Sequence, residues 1–341
     1  MVQSPFQVDQ LQIEPGSGED LLINRDAATG SIKFSDNVLT AGILLSQLAG
    51  LRNVGGVFVV GRSGAGAQYT SVQDALDDVP STSSTTNPYM ILILPGQYDE
   101  TINIVRDGVS LVGLGHVILR SALETTPDAI GADNTVIISA QLGTIPRLCI
   151  LQNLTICNVH TNLACVRIVG AADSEVASSG VFLKDVTLQA DAPTGNRPIW
   201  ASSINRIYIQ GGHWVPGSTA SLCLLREVGL IDASGVIGDI GAFDIRYDDS
   251  EAEPSDGGVT FTFRNMPIGA GSALSPALAI DLDGDGTLRT YDCDISGNVT
   301  ISGDHFVEFI RSVIGGNLTI SETPTITTRL TTRTGTVNSN A

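Results

Sequence analysis

The apolar positions of this chain fall in short runs separated by Gly, Asn and Asp. MILIL (Met90–Leu94), INIV (Ile102–Val105) and VSLVGLG (Val109–Gly115) follow one another at short intervals. Runs of this length, bounded by turn residues, predict strands. One segment breaks the pattern. In SVQDALDDV (Ser71–Val79), Val72, Ala75, Leu76 and Val79 lie at helical spacing on one face. Ser71 serves as N-cap, Asp74 lies three residues on as in a capping box, and Pro80 stops the helix.

The strand runs repeat. LQNLTI (Leu151–Ile156) and LKDVTL (Leu183–Leu188) share one pattern, with a looser copy in FRNMPI (Phe263–Ile268). ISGNVTIS (Ile295–Ser302) recurs as IGGNLTIS (Ile314–Ser321) at an offset of 19. Such periods mark a solenoid, in which each rung buries its apolar face only by stacking on the next. Stacking places the Asn and Asp of the pattern at equivalent turns, where buried amides would hydrogen-bond along the stack. Rungs of roughly 20–28 residues give about eight to ten of them, and ~4.8 Å per rung gives a stack ~40–50 Å tall. The open end of such a coil exposes strand edges and raw core, so the Ser71–Val79 helix is expected to cover it.

Two other regions flank this one. Residues 1–56 open with Leu21–Ile23, the turn DAATG (Asp26–Gly30) and Ser31–Phe34, which together predict a hairpin. Leu44, Leu45, Leu48 and Leu51 then form a helical apolar stripe before the linker Val54-Gly55-Gly56. The stripe packs either under the neighbouring domain or around an axis shared by three copies, and these leucines are the candidate subunit contacts. The predicted solenoid covers 57–321. Residues 322–341 alternate Thr with Ile, Leu and Val and predict an extended tail, either a free end or a strand lent to a neighbouring subunit.

Charge and composition narrow the functions. Acidic residues number 36 against 18 basic ones, a net charge of −18. That argues against nucleic acid as a partner, since phosphate binding needs clustered Lys and Arg. No apolar run reaches the ~20 residues that span a membrane, and Met1–Gln10 has no signal-peptide pattern. A soluble protein made in a cytoplasm is expected. Cys149, Cys157, Cys165, Cys223 and Cys293 are odd in number and lack a CxxC pair, which points to buried thiols on strands.

The stretch from Gly66 to Ser121, about a sixth of the chain, resembles the first rungs of the pectin-lyase-like superfamily and of its pectin methylesterases. The resemblance implies an all-β, right-handed parallel β-helix. Those esterases carry Gln-Ala-Val-Ala, Tyr-Gln-Asp-Thr and Asp-Phe-Ile-Phe-Gly stretches, none of which occurs here. The nearest echo is AFDIR (Ala242–Arg246), where Asp244 stands without the second carboxylate that acid–base work needs. The order of hairpin, leucine stripe and β-helix also resembles trimeric bacteriophage tailspikes and tailspike-like capsid decoration proteins. In those a small N-terminal domain attaches to the virion.

Candidate chemistry is sparse. DLDGDGTLRTYD (Asp281–Asp292) sets Asp281, Asp283, Asp285 and Asp292 at positions 1, 3, 5 and 12 of a calcium-type loop, with Gly286 at position 6. No helices flank it and Arg289 holds position 9, so an acidic turn competes with calcium. His116, His160, His213 and His305 share no ligand spacing. GRSGAG (Gly61–Gly66) lacks the ending of a phosphate loop, and Trp200 and Trp214 read as core anchors. Asp185, Asp191, Asp232, Asp239 and Asp244 are the acids from which a catalytic pair would be drawn. The resulting expectation is a bacteriophage virion structural protein without enzymatic activity, a β-helical homotrimer on the capsid or the tail. Its partners would be itself and a major capsid, tail or baseplate protein, with no cofactor besides the candidate calcium. The competing expectation is a tailspike depolymerase or a host-glycan-binding module.

Overall fold

Near the N-terminus, the computed structural model describes the backbone of 11–13, 21–25 and 32–34. From Gly56 it describes 56–121 except 64 and 66, then 134–139, 148–160, 163–169, 180–190, 197–215, 222–238, 244–247, 259–268, 278–282, 286–302, 305–321, 325–329, 332–333 and 337–340. The chain divides into two units, Met1–Asn53 and Val54–Ala341. The Leu44, Leu45, Leu48 and Leu51 stripe lies outside the described residues.

In the first unit, β1 (Leu11–Ile13), β2 (Leu21–Arg25) and β3 (Ile32–Phe34) form an antiparallel sheet in the order β1-β2-β3. Ile23 stands opposite both Leu11 and Phe34. The β2–β3 hairpin is the one the Asp26–Gly30 turn predicts.

The second unit is a right-handed parallel β-helix. It opens with β4 (Gly56–Val60), α1 (Val72–Asp77), β5 (Tyr89–Ile93) and β6 (Gly96–Asp99). The first full rung follows as β7 (Ile102–Ile104), β8 (Val109–Gly113) and β9 (Val117–Arg120), one strand on each of three faces, A, B and C. The next is β10 (Val136–Ser139), β11 (Leu148–Gln152) and β12 (Thr155–Asn158), paired in parallel with the first. Later rungs repeat the order, and the long strands Arg197–Gln210 and Leu222–Ser234 run from face A to face B without a break.

Registers stack like residues inward. On face B, Ile91, Leu111, Leu151, Leu183, Ile209, Ala233, Phe263, Thr290 and Phe309 are successive partners, and all are buried. Each buried aliphatic or Phe side chain in such a column contributes roughly 1.5–3 kcal/mol relative to exposure. Thr290 is the polar exception, and its hydroxyl is satisfied by Ser312 Oγ at 2.9 Å.

The turn between faces B and C explains the repeated Asn and Asp. Asn153, Asp185, Asn265, Asp292 and Arg311 all have φ between 51° and 54°, and Gly211 and Gly235 hold the same place at 65° and 64°. Asn, Asp and Gly tolerate this left-handed conformation best. The backbone N–H of Asn153, Asp185, Gly211, Gly235, Asn265 and Asp292 each donates to the residue before the next rung's turn. The expected ladder of buried side-chain amides is therefore a backbone ladder. Asn153 alone adds an amide bond along the stack, from Nδ2 to Gly113 O at 2.7 Å, while Asp185 and Asn265 are exposed.

The 19-residue repeat is one rung: Val299, Thr300, Ile301 and Ser302 pair with Leu318, Thr319, Ile320 and Ser321. The same interval carries into the C-terminal segment, where Phe306 pairs with Thr325 and Leu318 with Val337. The Thr-rich segment thus continues the coil within its own chain. The spacing of eight between Cys149, Cys157 and Cys165 is the step from face B to face C to the next face A.

α1 covers the N-terminal end, with Val72, Ala75, Leu76 and Val79 buried against the core. Ser71 caps it by accepting from Asp74 N at 3.1 Å. The partner on the other side is Glu100 rather than Asp74. Its carboxylate accepts from Val72 N at 2.8 Å, Gln73 N at 3.1 Å and Ser71 Oγ at 2.6 Å. Gln73 then stands in for a missing strand along β7. Asn103 N donates to its Oε1 at 2.7 Å, and its Nε2 reaches Asn103 O at 3.4 Å. An edge that would otherwise be raw is satisfied by one side-chain amide.

Candidate functional site

The parity that sends Leu183 and Ile209 inward sends Phe182 and Tyr208 outward on adjacent rungs of face B. Their rings stack with centroids 4.5 Å apart and planes 14° apart. Both are half-buried, so the pair is a partly open aromatic platform. On the same strands, two residues away and with the same parity, stand Lys184 and Arg206.

Further along face B the outward positions carry charge. Asp232 is ion-paired with Arg264, whose guanidinium lies 5.7 Å from the Tyr291 ring centroid. Tyr291 Oη donates to Glu308 Oε2 at 3.3 Å, and Arg289 Nε lies 3.6 Å from the same oxygen. Arg289 also sits 5.7 Å from the Phe306 centroid. Each pair is partly solvated and contributes little to stability, at most about 1 kcal/mol. Together they place four cations, Lys184, Arg206, Arg264 and Arg289, on one face of a chain whose net charge is −18.

Face A carries a second outward feature. Arg167 lies over Trp200 in the next rung, with its guanidinium carbon 4.5 Å from the ring centroid. Burial pushes the Arg167 pKa down. Trp200 is therefore an outward, half-buried surface residue and not the core anchor expected, because its register partner Arg167 points away from the core. Trp214, by contrast, is buried in the core.

The other sequence candidates are scattered. Asp292 sits at a left-handed turn, and both its oxygens are engaged by Arg311, at 2.7 Å from Nε and 2.6 Å from Nη2. Asp283 and Asp285 lie outside the described residues. Asp281 lies on the strand Leu278–Leu282 in register with Arg246 and Thr300. Among the described residues, no three metal-binding side chains gather. Asp185 is a turn residue and Asp232 faces outward beside Arg264. Asp244 opens a face A strand opposite Leu222, while Asp191 and Asp239 lie outside the described residues. Asp232 and Glu308 occupy one outward column three rungs apart, roughly 14 Å at the strand spacing. Cys149, Cys157, Cys165 and Cys293 are buried. Desolvation pushes Cys149 up to about 12 and Cys293 up to about 11, so neither thiol is poised as a nucleophile.

Phe182, Tyr208 and Arg167 escaped the sequence reading. The signal was present: once Asp185 and Gly211 are recognised as equivalent turns, counting back two and three residues gives the inward Leu183 and Ile209 and the outward Phe182 and Tyr208.

No known protein-family profile and no curated protein matches this chain. Among solved structures it is similar to pectin methylesterase from carrot, at 14% identity over 83% of each chain with a TM-score of 0.41. It is also similar to pectin methylesterase PemA from Erwinia chrysanthemi, at 13% identity over 79% of this chain and 80% of that one, TM-score 0.39. For the pectin methylesterase from Aspergillus niger the values are 14%, 83%, 85% and 0.32. At these identities the likeness is one of fold, and the parallel registers above carry that fold independently. The expectation of a chain without enzymatic activity is corrected here, because the solved structures it resembles are enzymes. The missing esterase stretches remove one set of catalytic residues, not catalysis as such.

Proposed function

We propose that this chain is a glycan-recognising attachment protein of a bacteriophage particle, a homotrimer held by its N-terminal unit to a capsid, tail or baseplate protein. Its β-helix presents face B to a surface glycan. The observation that supports recognition most directly is the outward Phe182–Tyr208 stack between Lys184 and Arg206. A sugar ring lays its C–H face on an aromatic platform, and flanking cations orient its hydroxyl oxygens. The separate antiparallel unit at the N-terminus supports the attachment role.

Titrating the full chain with host surface glycans tests the reading. Phe182→Ala and Tyr208→Ala are each expected to weaken binding roughly 5- to 30-fold, the effect of about 1–2 kcal/mol. Unchanged affinity in both variants would remove face B from recognition. The same incubations, assayed for new reducing ends or unsaturated sugars, distinguish a depolymerase from a binding module. Light scattering should give three times the 35.6 kDa chain mass, and a monomer at micromolar concentration contradicts the trimer.

A further inference from the structure

We propose that Arg167, held on the face of Trp200, forms a subsite for the carboxylate of an acidic sugar on face A. The guanidinium is half-buried and stacked at 4.5 Å on the indole. Among the described residues it has no hydrogen-bond or ion-pair partner, and the indole ring is the one group that engages it. A desolvated cation without an anion is costly, and a chain with 36 acidic residues supplies many side chains that could have neutralised it. The indole fixes the plane of the guanidinium, so its in-plane N–H donors are pre-organised as a fork. A carboxylate accepts from such a fork bidentately. Ile137 precedes Arg167 in the register column, and Val169 lies two residues on with the same parity. Both are half-buried and give the subsite an apolar border. Arg167 is the one cation among the described side chains of this stretch, which suits a singly charged carboxylate better than a doubly charged phosphate. The sugar class rests on the glycan reading above, whereas the carboxylate rests on Arg167 alone.

Tryptophan fluorescence reads the site directly, because Trp200 is half-exposed while Trp214 is buried. The full chain is titrated with glucuronate- and N-acetylneuraminate-terminated oligosaccharides, the neutral glucose counterpart and inorganic phosphate. The acidic sugars should change the emission and bind roughly 10- to 100-fold more tightly than the neutral one, the range of a charge-assisted bidentate contact. Arg167→Gln and Arg167→Lys should both abolish that preference, the lysine variant keeping the charge but losing the fork. Phe182→Ala should weaken acidic and neutral sugars alike, so a wild-type chain that binds no sugar refutes the face B reading, whereas one that binds sugars without preferring the acidic ones refutes this subsite. Equal affinity for acidic and neutral sugars, phosphate competing as well as glucuronate, or an acid preference surviving Arg167→Gln overturns the proposal. If Arg167→Gln fails to fold, the lysine variant and the wild-type phosphate competition decide it.

Discussion

At the scale of residues, a few side chains answer needs that the backbone creates. Glu100 satisfies two amides at the start of α1 together with the Ser71 hydroxyl. Glu100→Ala should therefore cost about 1–3 kcal/mol, read as a lower urea midpoint, and a loss below about 0.5 kcal/mol would show that water serves as well. The buried thiols make a pH prediction. Cys149 titrates near 9.0 when exposed and is pushed up to about 12 in the folded chain. Folding thus disfavours its thiolate, so its contribution is complete below pH 9 and is lost progressively as the pH rises toward 12. Stability measured against pH should fall across that window, and Cys149→Ser should flatten the fall. A thiol reagent at pH 8 should label Cys149 and Cys293 only after unfolding. The sequence alone identified these cysteines as buried strand residues, because an odd number of cysteines without a CxxC pair suits neither a disulfide framework nor a zinc site. It did not identify Glu100 as the cap, because 28 residues separate it from Val72 and only the coil's return brings them together.

Elements in this molecule are defined by the corner between faces B and C. Asn153, Asp185 and Asn265 were legible as one turn position because their local pattern repeats. Gly211, Gly235 and Arg311 hold the same position without the pattern, and the varying rung length hid them. Gly212 follows at φ 92°, and a Cβ there would run into the backbone of Val186. Gly212→Ala should destabilise by about 1–3 kcal/mol, measured as a drop in melting temperature. Arg311→Gly relieves a left-handed non-glycine residue but breaks the exposed fork to Asp292, and the two opposing effects should leave the melting temperature nearly unchanged. Gln73 is the cap's counterpart at the strand edge. Gln73→Leu should speed hydrogen exchange of the Asn103 amide while leaving the interior strands protected.

At the scale of the whole molecule, the second unit is a single coil whose inward columns form the core and whose outward columns carry the surfaces proposed above for recognition. That division was legible from alternation and repeat, and the 19-residue offset proved to be the rung itself. The stacking of Phe182 on Tyr208 and of Arg167 on Trp200 was not, since each pair spans rungs of different length and no local pattern links its members. Parallel stacking in this register is the claim on which the rest depends, and a pair of engineered disulfides tests it most directly. Thr300 and Thr319 are register partners in adjacent rungs, and Asn338 partners Thr319 one rung further on. Strand partners lie ~4.8 Å apart, within the 4.4–6.8 Å that a disulfide bridges, whereas two rungs exceed it. The double variant Thr300→Cys/Thr319→Cys should oxidise to an intramolecular disulfide without loss of structure, and Thr300→Cys/Asn338→Cys should remain reduced. The reverse outcome, or no bridge in the first variant, contradicts the coil.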